Sequence, residues 1–146
     1  MKASLLLAAA ACACLFSAQV LADDSRAYKE GPVTQITYVK VKPGQFDNYM
    51  KWLDTNYKPL NEALMKAKVV VGYKVYEQDA RDPHDADLIL AVTYANMAAL
   101  DNLDDRTDPI VEKFQGSRDK QNQGFVERGS MREILGGKLV RELILK

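Results

Sequence analysis

An antiparallel β-sheet with its helices packed on one face, an α+β fold in the ferredoxin-like βαββαβ order, is what the sequence predicts. Three observations carry that expectation. Extended patterns cover Val33–Val41, Val69–Gln78 and Asp87–Ala95, give way to a three-or-four spacing over Gln45–Leu64 and again after Met97, and return after Met131. The stretch Asp87–Ala95 is apolar on both faces, as a strand covered on both sides is. The chain has 146 residues, 47% hydrophobic and 27% charged, which suits one ordinary domain. That composition excludes a collagen, a disordered tail and a polytopic membrane protein. A formal net charge of zero argues against a nucleic-acid binder, which carries a basic surplus.

The first segment stands outside the fold. Lys2 precedes a small-apolar run from Ala3 to Phe16 that only Ser4 relieves, and Ser17–Ala22 ends in Val20-Leu21-Ala22 before Asp23-Asp24. This is the pattern of a secretory signal peptide, residues 1–22, with cleavage after Ala22 and a periplasmic or secreted destination. An uncleaved anchor is the weaker reading, because the run is Ala-rich and Ser17 and Gln19 weaken its far end. Lipidation is weaker still: Ala9-Ala10-Ala11 precedes Cys12 and Ala11-Cys12-Ala13 precedes Cys14, without the expected Leu. Cleavage removes both cysteines, so the mature chain has no thiol chemistry and no disulfide. Loss of Lys2 leaves 19 basic residues against 20 acidic ones. No membrane partner is expected after cleavage.

Residues 23–32 read as a flexible lead-in ending at Gly31-Pro32, with the domain at 33–146. Val33–Val41 is a strand, and Lys42-Pro43-Gly44 a turn. Phe46, Tyr49, Met50, Leu53, Tyr57, Leu60 and Leu64 mark one face of a helix that Pro59 should kink. Val69–Gln78 is a second strand, Asp79–Ala86 a polar loop and Asp87–Ala95 the third strand. Met97, Leu100 and Leu103 mark a short helix, and Asp108-Pro109 reads as the cap and first residue of another. Gln115–Gly124 is almost wholly polar, either a lid or an exposed helix. Met131–Leu135, Gly136-Gly137 and Lys138–Leu145 read as strand, tight turn, strand. No helix remains for the other face of the sheet, where Ile89 and Ala91 would point. A second copy is the economical cover, which predicts a homodimer.

The helix Phe46–Leu64 after Lys42-Pro43-Gly44, the Tyr-rich second strand and the ending from Leu135 to Leu143 resemble the dimeric α/β-barrel superfamily over about residues 33–146. That group includes antibiotic-biosynthesis monooxygenases, NIPSNAP-like and YCII-like proteins, and haem-binding chlorite dismutase relatives. The resemblance implies a pocket between sheet and helices in each protomer, holding a small, largely apolar ligand. A haem would need a His on a pocket-facing helix, and the only histidine, His84, lies in the loop Asp82–Asp87.

His84 among carboxylates reads better as a solvated turn than as a metal site or base. Asp101–Asp108 lacks the mid-loop Gly and the ligand alternation of a calcium loop. No metal and no cofactor are expected. Seven Tyr and one Trp are enough to line an aromatic pocket, although packing is the commoner use of such residues. The wall residues expected for such a pocket are Tyr38, Trp52, Tyr73 and Tyr94. Arg132 would select an anionic or carbonyl group if it faced that pocket, against the commoner reading of a cross-strand ion pair.

These residues point to a periplasmic small-molecule-binding homodimer for an apolar or aromatic ligand. A cofactor-independent monooxygenase acting on phenolic or quinol-like substrates is the rival, with Tyr38, Tyr73 or Asn48 assisting proton removal. A structural dimer without ligand is the third reading. No catalytic residue is assigned. Expression with export is expected to yield a chain whose first residue is Asp23. Intact mass of the periplasmic fraction checks this, and a chain retaining Met1 or bearing a lipid would overturn it.

Overall fold

The computed structural model describes residues 25–146. The expected signal peptide and cleavage site, together with both cysteines, therefore lie outside the described residues. The elements run β1 (Tyr28–Val41), α1 (Phe46–Trp52), a π-helical stretch Leu53–Tyr57, α2 (Lys58–Lys66), β2 (Gly72–Glu77), β3 (Leu88–Tyr94), a 3-10 turn Met97–Leu100, α3 (Leu103–Gln115), α4 (Arg118–Arg128) and β4 (Arg132–Leu145). The sheet order is β2-β3-β1-β4, antiparallel throughout. This is the ferredoxin-like α+β fold, with β1 and β3 central.

Register decides which residues meet the helices. Val39 pairs with Leu88 and Ile134, Thr37 with Leu90, and Val33 with Tyr94. One cluster packs Val39, Val41, Leu88 and Leu90 against Tyr49 and Leu53, with Trp52 and Tyr57 beside it. The other packs Leu60, Leu64, Val69, Val70 and Tyr94 against Ile110 and Val111 of α3. Burying each such aliphatic side chain contributes roughly 1.5–3 kcal/mol, so these two clusters hold the helices to the sheet. On the opposite face lie Ile36, Tyr38, Ile89 and Tyr76, with no helix over them among the described residues. Ala91, expected to be exposed there, is buried, because its methyl is short and lies between Ile36 and Lys74 on the flanking strands.

Several expectations need correction. β1 begins inside the lead-in: Tyr28, Lys29 and Glu30 pair with Leu145, Ile144 and Leu143, and a register shift absorbs Gly31-Pro32. A bulge accommodates a Pro that the ladder itself could not hold. β2 is shorter than Val69–Gln78, because Val69 and Val70 turn into the core beneath α2. Pro59 goes with an interruption of the regular α-helix, as expected, but that interruption is the π-helical stretch just before it rather than a break at the proline. Pro59 lies in the first turn of α2, directly after the π-helical stretch, where the wider turn leaves its missing N–H without consequence. Asp108-Pro109 starts no helix either, since α3 runs through from Leu103 with Pro109 inside it. The polar run Gln115–Gly124 is the end of α3, a turn at Gly116 and the first part of α4, an exposed helix with no buried residue.

The largest correction concerns Gly136-Gly137. There is no turn: β4 is one strand of 14 residues that passes straight through the pair. Leu135 is the extra residue, since Tyr38 pairs with Gly136 and Val39 with Ile134. Gly136 has φ +143°, and an added Cβ on Gly137 would sit 2.6 Å from the Ile36 carbonyl oxygen. The glycines are there because the backbone of β4 presses on β1 at this point. Gly137→Ala is therefore expected to destabilise the fold by about 2 kcal/mol or more. Gly72→Ala, with open space around the new methyl, should change stability by under about 1 kcal/mol. Urea denaturation of both variants checks the contrast, and equal midpoints would overturn it.

Candidate functional site

The five residues expected to share a pocket do not share one. Tyr38 projects from the open face, with the Lys138 ammonium 5.8 Å from its ring centre. Tyr94 belongs to the core under α2. Tyr73 meets Tyr57 edge-on, ring centres 5.8 Å apart. Only Trp52 and Arg132 are brought together, on the helix-facing side of the sheet where α1, α4 and β4 meet. The sheet explains the separation: Tyr38 and Tyr73 occupy positions of opposite parity relative to β3, so they fall on opposite faces.

Around Trp52 the structure builds a ring of aromatic and guanidinium groups. Tyr49 and Trp52 stack with planes 2° apart and centres 6.0 Å apart. The Arg128 guanidinium lies 4.6 Å from the Trp52 ring centre and 5.9 Å from that of Phe125. Arg132 lies 5.0 Å from Phe125 and faces the Tyr49 hydroxyl. Arg132 is only 7% exposed, and its Nε is buried without a hydrogen-bond partner. The edge ion pair that seemed the commoner role is not made: among the described residues, neither Arg132 nor Arg128 has a carboxylate within salt-bridge distance. A buried unpaired cation costs several kcal/mol, whereas a desolvated cation–π contact returns about 2 kcal/mol. The ring thus leaves a net demand for negative charge.

The titrations follow from the same packing. Burial pushes the Tyr49 phenol up, while Arg132 and then Arg128 pull it down; burial prevails and the phenol stays protonated near neutrality. Burial and the neighbouring Arg132 both lower the affinity of Arg128 for its proton, against a smaller opposing effect of Tyr49 and Glu127. Space for Arg128 comes from Gly124 one turn earlier, where an added Cβ would lie 3.1 Å from Arg128 Nη1. A mid-helix glycine costs roughly 1 kcal/mol relative to Ala, and here it leaves room for the guanidinium.

Beside this ring lies a cleft of about 630 Å³. Its floor is Gln35–Thr37 of β1 and Ile134, Gly136, Gly137, Lys138 and Leu139 of β4, and Leu100 of the 3-10 turn forms a wall. Asn96 shapes that turn by accepting a hydrogen bond from the Ala99 amide at 3.0 Å. The lining is mainly apolar. The register shift at Leu135 falls in this floor, where Gly136 contributes no side chain. Its size suits a small organic ligand. None of the five expected residues lines it. The signal that could have found it is the glycine pair inside a strand, which also fits a hairpin turn.

A smaller slot of about 180 Å³ lies on the other flank of α1, between Met50, Leu53, Tyr57, Tyr73 and Val75. The Tyr57 hydroxyl is buried at its wall without a hydrogen-bond partner. Asn61, buried beside it, donates its amide to the Tyr57 backbone carbonyl at 2.8 Å instead. Burial raises the Tyr57 pKa strongly. The remaining candidates are ordinary loop structure. His84 is 95% exposed and hydrogen-bonds Asp82, whose carboxyl is held below its usual range by the His84 amide and ring. Asn48 hydrogen-bonds Gln45 on the surface, and among the described residues no three acidic, His or Cys side chains converge.

No protein-family model matches the chain, and no curated protein matches it. In structure it is similar to HapK from Hahella chejuensis, with TM-score 0.50 and 14% identity over 75% of this chain and 91% of that one. It is also similar to a dimeric ferredoxin-like protein from an uncultured marine organism, with TM-score 0.50 and 9% identity over 81% and 98%. At these identities the likeness establishes the fold.

Tyr57→Phe removes a buried hydroxyl that nothing satisfies. It is expected to stabilise the chain by about 1 kcal/mol and to raise its melting temperature. A loss of stability would show that the hydroxyl has a structural partner.

Proposed function

We propose that the chain is an exported homodimer that binds a small apolar or aromatic molecule in the cleft over Gln35, Thr37, Ile134 and Leu139. The observation that carries this reading is the cleft itself: a mainly apolar depression of about 630 Å³ over the irregular stretch of β4 at Leu135 and Gly136. The polar side chains of the residues lining the cleft, the Gln35 amide, the Thr37 hydroxyl and the Lys138 ammonium, are hydrogen-bonding groups rather than bases. That favours binding over proton abstraction from a substrate.

The second copy answers two features of the sheet. Its open face carries Ile36, Tyr38, Ile89 and Tyr76. Beyond β3, the paired ends of β1 and β4 form a two-stranded arm on which Leu143, Ile144 and Leu145 are 53%, 46% and 79% exposed. A two-stranded arm with apolar residues in water is marginal by itself. One of the structurally similar proteins is described as dimeric. The signal-peptide pattern at residues 1–22 supports export.

The test is a native mass spectrum of Asp23–Lys146 together with a thermal-shift panel of neutral naphthyl and phenyl compounds. Two chains per particle, and a melting temperature that rises saturably with ligand, are expected. Leu139→Trp, which fills the cleft from the edge strand, should abolish the shift. A monomer would remove the dimer, and a ligand response that survives Leu139→Trp would remove the cleft.

A further inference from the structure

The ring of guanidinium and aromatic groups fastens α4 to the sheet, yet it leaves Arg132 buried without a carboxylate partner among the described residues, beside the strand position where the cleft begins. Arg132 and Ile134 are alternate residues of β4, opposite Val41 and Val39, so both face the helices. Two residues of strand advance the chain by about 7 Å, the reach of one small molecule. The apolar floor of the cleft thus begins at the strand position next to a buried arginine. We propose that the molecule bound in the cleft is an organic carboxylate, its apolar body over Ile134 and Leu139 and its anionic head held by Arg132 and Arg128. This rests on the cleft being the binding site.

The chemistry of the ring supports an oxyanion. Each guanidinium lies near an aromatic ring, Arg128 by Trp52 and Arg132 by Phe125. Its N–H groups are the donors that match a carboxylate. Arg132 is more than nine-tenths buried with Nε unpartnered, and no described acidic side chain lies within salt-bridge distance of either arginine. Gly124 leaves room beside Arg128, and α4, which supplies Phe125 and Arg128, buries none of its own residues. Arg128, half-buried at the end of this exposed helix, is the member of the pair nearer solvent. The walls favour a carboxylate over a phosphate. Tyr49, Trp52 and Phe125 are aromatic neighbours, suited to a planar organic acid rather than to a strongly hydrated dianion.

The experiment compares 2-naphthoate with 2-naphthamide, a neutral molecule of nearly the same shape, by calorimetry and by fluorescence of Trp52, the only tryptophan. Naphthoate is expected to bind at least about tenfold more tightly and to perturb the Trp52 emission. In Arg128→Gln and in Arg132→Met that advantage should collapse. Circular dichroism and thermal melting establish that each variant folds, and the half-buried Arg128 carries the test should Arg132→Met fail to. Equal affinity for acid and amide would overturn the carboxylate assignment and leave the cleft standing. Absence of binding by either would overturn the cleft and this inference with it. Displacement of naphthoate by inorganic phosphate at lower concentration than by acetate would show that the head group is not a carboxylate.

Discussion

The pairing of β4 with β1 fixes the rest of this molecule. β1 is hydrogen-bonded on both sides, to β3 and to β4, and its Val33 and Val39 are wholly buried. Side chains alternate along a strand, so a slip of one residue in β4 would turn Arg132, Ile134 and Leu139 onto the open face. Two irregularities guard that register. At Gly31-Pro32 the shift lets β1 continue past a residue with no N–H, and at Leu135 the bulge lets β4 approach the Ile36 carbonyl through Gly137. The same bulge that sets the register lies in the floor of the cleft.

The helices divide the work above that sheet. α1 and the π-helical stretch place Tyr49, Trp52 and Leu53 over the first core cluster, and α2 carries the second. Pro59 belongs to this arrangement: a regular turn before it would have asked for the amide that proline lacks, and the wider π turn avoids the request. Asp87 ties the sheet to the loop before β3, accepting the Val41 amide at 2.7 Å and pairing with Lys40 at 2.9 Å. That pair is three-quarters buried, so it outweighs exposed ones such as Lys58–Asp54, which contribute little. α4 is different. It is attached to the body largely by what Phe125 and Arg128 do to Trp52 and Arg132, with Arg118–Asp108 at its start.

Much of the fold was legible in the sequence, because its periods are clear. The run Asp87–Ala95, apolar on both faces, marked a central strand, and the spacing from Phe46 to Leu64 marked a helix over the sheet; both stand close to where the pattern puts them. Boundaries failed where a local signal had two structural meanings. Gly136-Gly137 fits a hairpin turn as well as a close strand crossing, and Asp108-Pro109 fits a helix start as well as a tolerated interior proline. Nothing local separates those meanings, because the deciding contact, the Ile36 carbonyl, lies a hundred residues away in the chain.

The candidate site was less legible for a related reason. Picking aromatic residues finds whatever packs, and packing placed Tyr94 in the core, Tyr38 on the open face and Tyr73 in a slot. Arg132 is the exception, and the distinction is energetic. A buried tyrosine contributes apolar area wherever it lands, so its type carries little information about a site. A buried arginine without a carboxylate partner contributes a penalty unless something else supplies the charge. Arg132 follows Met131, whose side chain packs on the first cluster, and precedes Ile134 on the same face of β4. Its burial is therefore imposed by strand parity and cannot be relieved by a local swing into water. A chain that keeps two arginines at such a place, with glycine at position 124 to make room, has its unmet electrostatic demand located beside a mainly apolar cleft. That juxtaposition, rather than the number of aromatic residues, is what separates a binding site from a core here.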